Sequence, residues 1–491
     1  MIDWRPAARP LPPGSFDPSG GARAFGTAGL IAAMAPRTGA LRLARYWARC
    51  RRPLEALALI EAAGRHDPAM PLRLRLLAEL RLYSPLLAAV GRGRVPAGLH
   101  GALGLARLAI GDPDGAVPLL VEAVRDRSGW GAWLRAAAAL AIIAPDRAEI
   151  MFGARTRAGR REEPLTALLL AHLAERSGDF NRALGLLTRA EAQPRPAEVD
   201  LLRAAVLVRR GDRAGAHRSF DRALARFGLP GFCAQPPMRD GGPLVTVIVA
   251  AYDAAETIEA ALRSLTGQSW RAVDIIVIDD ASTDETVAKV AALADADPRI
   301  RLLRQTANAG AYAARNRGLA AAAGEYVTVH DADDVAHPQR IERQLTPLLA
   351  EPGLVGSTAR WLRREAPYRF HDRQLLPLLR LHVGSLLIRR AFLEHAVNGF
   401  EPVRYGADGD LLTRVEAAAG AGRIASLALP LTLSGLHPGS AVHDPDSGYG
   451  ERGYSIARQR YHEASVLRCV SALSGQPLTT LFDCLERTLP L

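Results

Sequence analysis

Residues 245–286 read VTVIVAAYDAAETIEAALRSLTGQSWRAVDIIVIDDASTDET, and the changes of period inside this stretch decide the fold. Val245 to Ala251 is a short apolar run rich in β-branched residues, and from Ala255 to Leu265 the apolar residues recur at helical spacing. Asp274 to Ile278 is a second β-rich run, followed by a helical pattern from Thr286 to Leu293. Further on, Ile300–Leu303 and Tyr326–Val329 are strand-like runs separated by an Ala-rich helical segment from Ala311 to Ala323. Strands alternating with helices of about ten residues predict βαβ units and a mostly parallel sheet covered on both faces. This part of the chain reads as α/β.

Upstream, GLPGFCAQPPMRDGGP (residues 228–243) is half Gly and Pro, cannot continue a helix, and reads as a linker. Before it, Gly111-Asp112, Gly178-Asp179 and Gly211-Asp212 are each followed four residues after the aspartate by Ala116, Ala183 and Ala216. The intervals of 67 and 33 residues are two units and one unit of about 34. Small residues spaced in this way let paired helices approach, while the large ones fill the groove between neighbours. The pattern resembles tetratricopeptide repeats, GDFNRALGLLTRA most closely, over residues 41–227. An extended concave helical surface suits a protein partner, or it supports the neighbouring domain. The expected layout is an irregular segment 1–40, a helical repeat domain 41–227, the linker 228–243, an α/β domain 244–440 and a helical extension 441–491.

The length of 491 residues exceeds what one core usually supports, and 48% hydrophobic with 23% charged residues is the balance of a globular chain. The net charge of +11 divides unevenly. Residues 1–240 hold 36 basic against 22 acidic side chains, and residues 241–491 hold 26 against 29. The basicity therefore belongs to the helical half, where arginines spread over solvated faces account for it without nucleic acid. A peripheral contact with anionic headgroups is compatible with the same charge. Cys50, Cys233, Cys469 and Cys484 are too few and scattered for a disulfide framework or a structural zinc, which fits a reducing, cytoplasmic setting. The N-terminus lacks the apolar stretch of a secretory signal, and the most apolar window, Ala136–Ala144, is half of the roughly twenty residues that span a bilayer.

In a parallel α/β sheet, ligands bind beyond the carboxyl ends of the strands. Here those ends carry Tyr252-Asp253 after the first run, Asp279-Asp280 after the second and His330-Asp331-Ala-Asp333-Asp334 after the fourth. The glycine-rich phosphate cradles of dinucleotide-binding and P-loop proteins are absent. Carboxylates repel a phosphate unless a divalent cation stands between them. In an extended segment Asp331 and Asp333 project to the same side, and oxygen ligands suit Mg²⁺ or Mn²⁺.

Four ordered segments, VTVIVAAYDAAETIEAALRSLTGQS, DIIVIDDASTDET, NAGAYAARNRGL and YVTVHDADDVAHPQRIERQ, resemble the nucleotide-sugar-binding half of family 2 inverting glycosyltransferases with the GT-A fold. The resemblance implies that Asp280 meets the nucleotide base, with Ala251 and Tyr252 lining its pocket. It implies that Asp331 holds the ribose and Asp333 the cation, and that Asn308, Gly310 and Arg315 lie beside the nucleotide. In the stretch YGADGDLLTR, Asp408 takes the general-base position, Ala407 replaces the usual glutamate, and Asp410 is the substitute candidate. Gly384 and Ser385 would face the acceptor, and His437 would be an additional cation ligand, with His443 competing for that role.

These roles imply transfer of a sugar from a nucleotide-sugar donor, UDP-linked by family habit, to a hydroxyl of a polysaccharide, lipid-linked glycan or glycosylated protein. Two other readings use the same residues: a nucleotidyltransferase, which would release pyrophosphate, and a repeat scaffold carrying an inactive transferase-like domain.

Overall fold

A computed structural model describes residues 37–475, apart from 51, 64–66, 92–94, 97, 127–129, 158–162, 192–195, 371–375, 421, 437–442, 445–447 and 450–454. From Arg37 to Ala225 it is helical. Three helix pairs there are joined by the Gly-Asp turns: α1 (His100–Ala109) with α2 (Pro113–Arg125), α3 (Glu163–Arg176) with α4 (Phe180–Ala190), and α5 (Pro196–Arg209) with α6 (Arg213–Ala225).

The local reason is the same each time. Gly111, Gly178 and Gly211 have φ of +84°, +84° and +87°, a left-handed conformation that ends the first helix at no cost to a residue without Cβ. The following aspartate caps the second helix: Asp112 accepts from the Gly115 N–H, Asp179 from Arg182 and Asp212 from Gly215. Ala116, Ala183 and Ala216 are buried where the paired helices meet.

Much of the arginine excess here is locally paired. Asp200, buried on α5, meets Arg203, Arg222 and Arg226, and Glu175 meets Arg209. No helix among the described residues is long and apolar enough to cross a membrane.

The sheet begins after the Gly/Pro segment. Strands β1 (Val245–Ala251), β2 (Val273–Asp279), β3 (Ile300–Arg304) and β4 (Tyr326–Asp331) pair in parallel in the order β3-β2-β1-β4. Val245, Val247 and Val249 join one buried cluster with Ile341 and Leu345, while Ile248 joins another with Leu319 and Leu411. Both faces are covered, so the strands read as nearly continuous apolar runs. The sheet continues antiparallel through β5 (Arg380–Arg389) and then β6 (Gly356–Ala366), with β7 (Ile424–Gly435) parallel to β6 beyond.

The helical region and the sheet share cores. Ala359, Leu362, Leu376, Leu378, Leu431 and Leu433 pack into the same cluster as the helices of residues 103–224. Phe220 stacks on Phe370 at 5.4 Å, and the Glu198 carboxylate accepts from the Leu378 N–H at 2.8 Å. At this end the helical surface is occupied in cis by the sheet domain. A helix near the C-terminus, α7 (Ile456–Ser474), ties the other end. Glu463 on α7 accepts from the N–H groups of Tyr83 and Ser84, and Val466, Leu467 and Val470 share a core with Leu57, Leu77 and Ala417.

Candidate active site

Parallel register brings the acids to one edge. Ala251 lies opposite Asp279, and Ala250 opposite Asp331. The order β3-β2-β1-β4 reverses direction at β1, which opens a crevice at the carboxyl ends of β1 and β4. One helix organises what faces it: α8 (Ala311–Ala320).

The start of α8 is fixed by Asp280. Its carboxylate accepts from the Ala309 N–H at 2.9 Å, the Gly310 N–H at 2.8 Å and the Gln305 side chain, and its own N–H donates to the Ala251 carbonyl. Gly310 has φ +90°, so the chain turns into the helix at a residue without Cβ. In this structure Asp280 is thus the anchor of the 305–310 loop. Ala251 is buried, whereas Tyr252, just past the end of β1, and Asn308, within that loop, are exposed.

Two residues on one face of α8, Tyr312 and Arg315, then reach the catalytic candidates. The Arg315 guanidinium, 6% exposed, donates to Asp408 at 2.7 Å and to Asp331, bridging the acid that ends β4 and the acid at the start of α9 (Ala407–Ala419). The Tyr312 hydroxyl donates to the other oxygen of Asp408 at 2.9 Å. Phe400 stacks on Tyr312 at 5.8 Å, and Arg315 lies over both rings.

Burial opposes the charge on Arg315, but Asp408 and Asp331 outweigh it and raise its pKa. Burial pushes Asp331 up, and Arg315, His382 and His330 together pull it below the ordinary carboxylate range. Asp408 ends above that range: burial raises it, Arg315 offsets part of the rise and Asp331 adds to it. A carboxylate with raised proton affinity at the crevice suits a general base.

Asp410, two residues on, is placed differently. It is buried and accepts from Arg414 on its own helix and from Ser465 and Arg468 on α7. It clamps two helices and does not face the crevice with Asp408. Ala407 is fully buried among apolar side chains, so the position where a glutamate is usual belongs to the core.

A second group lies behind Asp331. Asp331, Asp334 and His382 each offer a ligand atom, all within 4.8 Å of one another. Asp334 is 1% exposed and neither of its carboxylate oxygens has a hydrogen-bond partner; Nδ1 of buried His382 has none either. Burial, with Asp331 and Asp333 adding to it, raises Asp334 well above the ordinary range. Crowded, under-satisfied carboxylates with an imidazole are a donor set that fits a divalent cation. Asp333 is partly exposed in the same loop, its backbone carbonyl against Gly435. Arg340 is fully buried beneath, donating to His330, Thr328 and the Val329 carbonyl, and braces the loop from inside.

Ser385 is wholly buried: its hydroxyl accepts from the Ala359 N–H and donates to the His382 carbonyl, filling the irregularity between β6 and β5. It does not open to an acceptor here, because its side chain is wholly buried with its proton and one lone pair held inside the sheet. Gly384 lines an apolar cavity with Asp408, Ile248, Val329 and Phe400. His437 lies outside the described residues; His443 is exposed. Sequence reasoning missed Tyr312 and His382, and it read Asp334 in the acidic cluster after the fourth run without giving it a role. Of these, Tyr312 carried a signal, three residues before Arg315 and hence on the same helix face.

Residues 246–406 match the family described as Glycosyl transferase family 2. The chain carries a family 2 glycosyltransferase domain. The succinoglycan biosynthesis protein ExoO of Rhizobium meliloti (strain 1021) is 44% identical over 110 residues, 22% of this chain and 31% of that protein. The Escherichia coli UDP-Glc:alpha-D-GlcNAc-diphosphoundecaprenol beta-1,3-glucosyltransferase WfgD is 36% identical over 106 residues, 22% of this chain and 41% of that protein. The chain thus spans 31% and 41% of the length of these two curated relatives. Among solved structures, S. aureus TarS 1-349 in complex with UDP-GlcNAc is 18% identical, with a TM-score of 0.36 over 50% of this chain and 82% of that one. The family match takes in Asp280 and Asp331 and ends before Asp408.

Proposed function

We propose that the protein is an inverting glycosyltransferase that moves a sugar from a nucleotide-sugar donor, a UDP-sugar, to an acceptor hydroxyl. The observation that carries this reading is the single buried guanidinium of Arg315 joining Asp331 to Asp408, so that an acid suited to the donor and an acid suited to the acceptor face one crevice. The UDP assignment draws on the name of the E. coli relative, whose donor is UDP-Glc.

In this reading Tyr252 and Asn308 border the nucleotide, Asp280 holds the loop against it, and Asp331 meets the ribose. Asp333 and Asp331, with Asp334 and His382 behind them, would hold a Mg²⁺ or Mn²⁺ ion. When bound, that ion offsets negative charge on the departing diphosphate. Asp408 takes the proton of the acceptor hydroxyl as the oxygen attacks the anomeric carbon from the face opposite the diphosphate, one bond forming as the other breaks. General-base help of this kind contributes about 10² to 10⁴ in rate. A polysaccharide or lipid-linked glycan is the proposed acceptor class, in line with the succinoglycan and diphosphoundecaprenol names of the relatives.

The test is a panel of UDP-sugars incubated with the full chain and Mn²⁺. Metal-dependent release of UDP supports the reading; release of pyrophosphate from UTP in a parallel reaction with a sugar 1-phosphate points to nucleotidyl transfer, and no turnover in either reaction supports an inactive scaffold.

A further inference from the structure

Both oxygens of Asp408 are engaged, and by different kinds of donor. Arg315 holds Oδ1, and the Tyr312 hydroxyl holds Oδ2. An ion pair alone leaves a carboxylate free to swing about its partner, whereas donors on both oxygens fix its plane. Tyr312 is 7% exposed, its ring packed on Phe400 and under Arg315. A phenol buried to this degree needs a partner for its proton. Asp408 is the partner its side chain reaches.

We infer that Tyr312 is a positioning residue for the base, orienting Asp408 so that its remaining lone pairs meet the acceptor hydroxyl. The inference rests on the transferase reading above. Burial and the neighbouring Asp408 raise the Tyr312 pKa, so its proton stays in place and it acts as a fixed donor. The charged groups acting on Asp408 are Arg315 from α8, Asp331 from β4 and Arg458 from α7; the Tyr312 bond adds to the two arginines in lowering its proton affinity. The base works ionised, so activity is present above its pKa and lost as pH falls through it. Removing the Tyr312 hydroxyl raises that pKa and moves the acid limb of kcat to higher pH.

The experiment compares wild type with Tyr312→Phe, which keeps the ring stack, and Tyr312→Leu, which loses it. UDP release is followed from whichever UDP-sugar the wild type turns over fastest, with Mn²⁺, across pH. The expected result for Tyr312→Phe is a kcat about tenfold lower, donor KM within about twofold, an acid limb at higher pH and only a slightly lower melting temperature; Tyr312→Leu melts earlier still. A Tyr312→Phe enzyme with wild-type kcat and acid limb overturns the inference, as does a rise in donor KM with kcat unchanged, which would assign Tyr312 to the donor. A wild type that turns over no donor overturns the transferase reading itself, and this inference with it.

Discussion

Two positions in the first turn of α9 make opposite use of the same side chain. Asp408 keeps 20% of its side chain exposed and faces Arg315 and Tyr312 across the crevice, while Asp410 keeps 1% and is enclosed by Arg414, Ser465 and Arg468. Both are carboxylates in the first turn of a helix, where a capping role is the ordinary expectation. What separates them is the partner each meets. Asp408 pairs with a residue that also holds Asp331, and Asp410 with a helix that reaches back to the N-terminal region through Glu463. The carboxylate proposed as the base keeps an accessible edge, and the one that joins two helices gives up nearly all access for fixed geometry.

The sharpest way to break this contrast is to neutralise each acid in turn. Asp408→Asn should lower turnover by about 10² to 10⁴ while donor binding by calorimetry persists, and Asp410→Asn should stay within about tenfold of wild type. If Asp410→Asn is the more damaging to turnover at equal folded fraction, the base assignment moves to Asp410. Next in size is the acidic loop. Asp331→Asn combined with Asp333→Asn should abolish the thermal stabilisation that Mn²⁺ and UDP give together, worth about 2.7 kcal/mol at a hundredfold excess over Kd. Stabilisation that persists would locate the cation elsewhere.

The smaller effects are on stability. Asp410→Ala removes the buried partner of two arginines and should cost about 3 kcal/mol in urea unfolding. Ser465→Ala removes one hydrogen bond to the same carboxylate and should cost about 1 kcal/mol. Equal small costs would mean that water already serves Asp410.

Much of the sheet was legible because strands buried on both faces leave uninterrupted apolar runs. Val245–Ala251 and Tyr326–Asp331 are strands much as their sequence reads, and the acids at their carboxyl ends lie along one edge because parallel register puts those ends together. The Gly-Asp turns were legible for an equally local reason: one residue supplies a left-handed φ and the next a cap. What was not legible depends on distant partners. Ser385 reads as a site residue until the β6 irregularity claims its hydroxyl, and His382 acquires its place beside Asp331 only through the antiparallel half of the sheet. The loop that starts α8 gives the Asp280 carboxylate three hydrogen bonds from residues 25 to 30 positions away, which no local pattern announces. Helix α7 carried no motif, yet it secures α9 to the helical region.

The central claim is that Asp408 acts as a base in one displacement, with no covalent sugar intermediate. Proton NMR of the sugar freed from an α-linked UDP-sugar, recorded before mutarotation, tests it most directly. The account predicts that the β-anomer appears first; an α-anomer appearing first would contradict it.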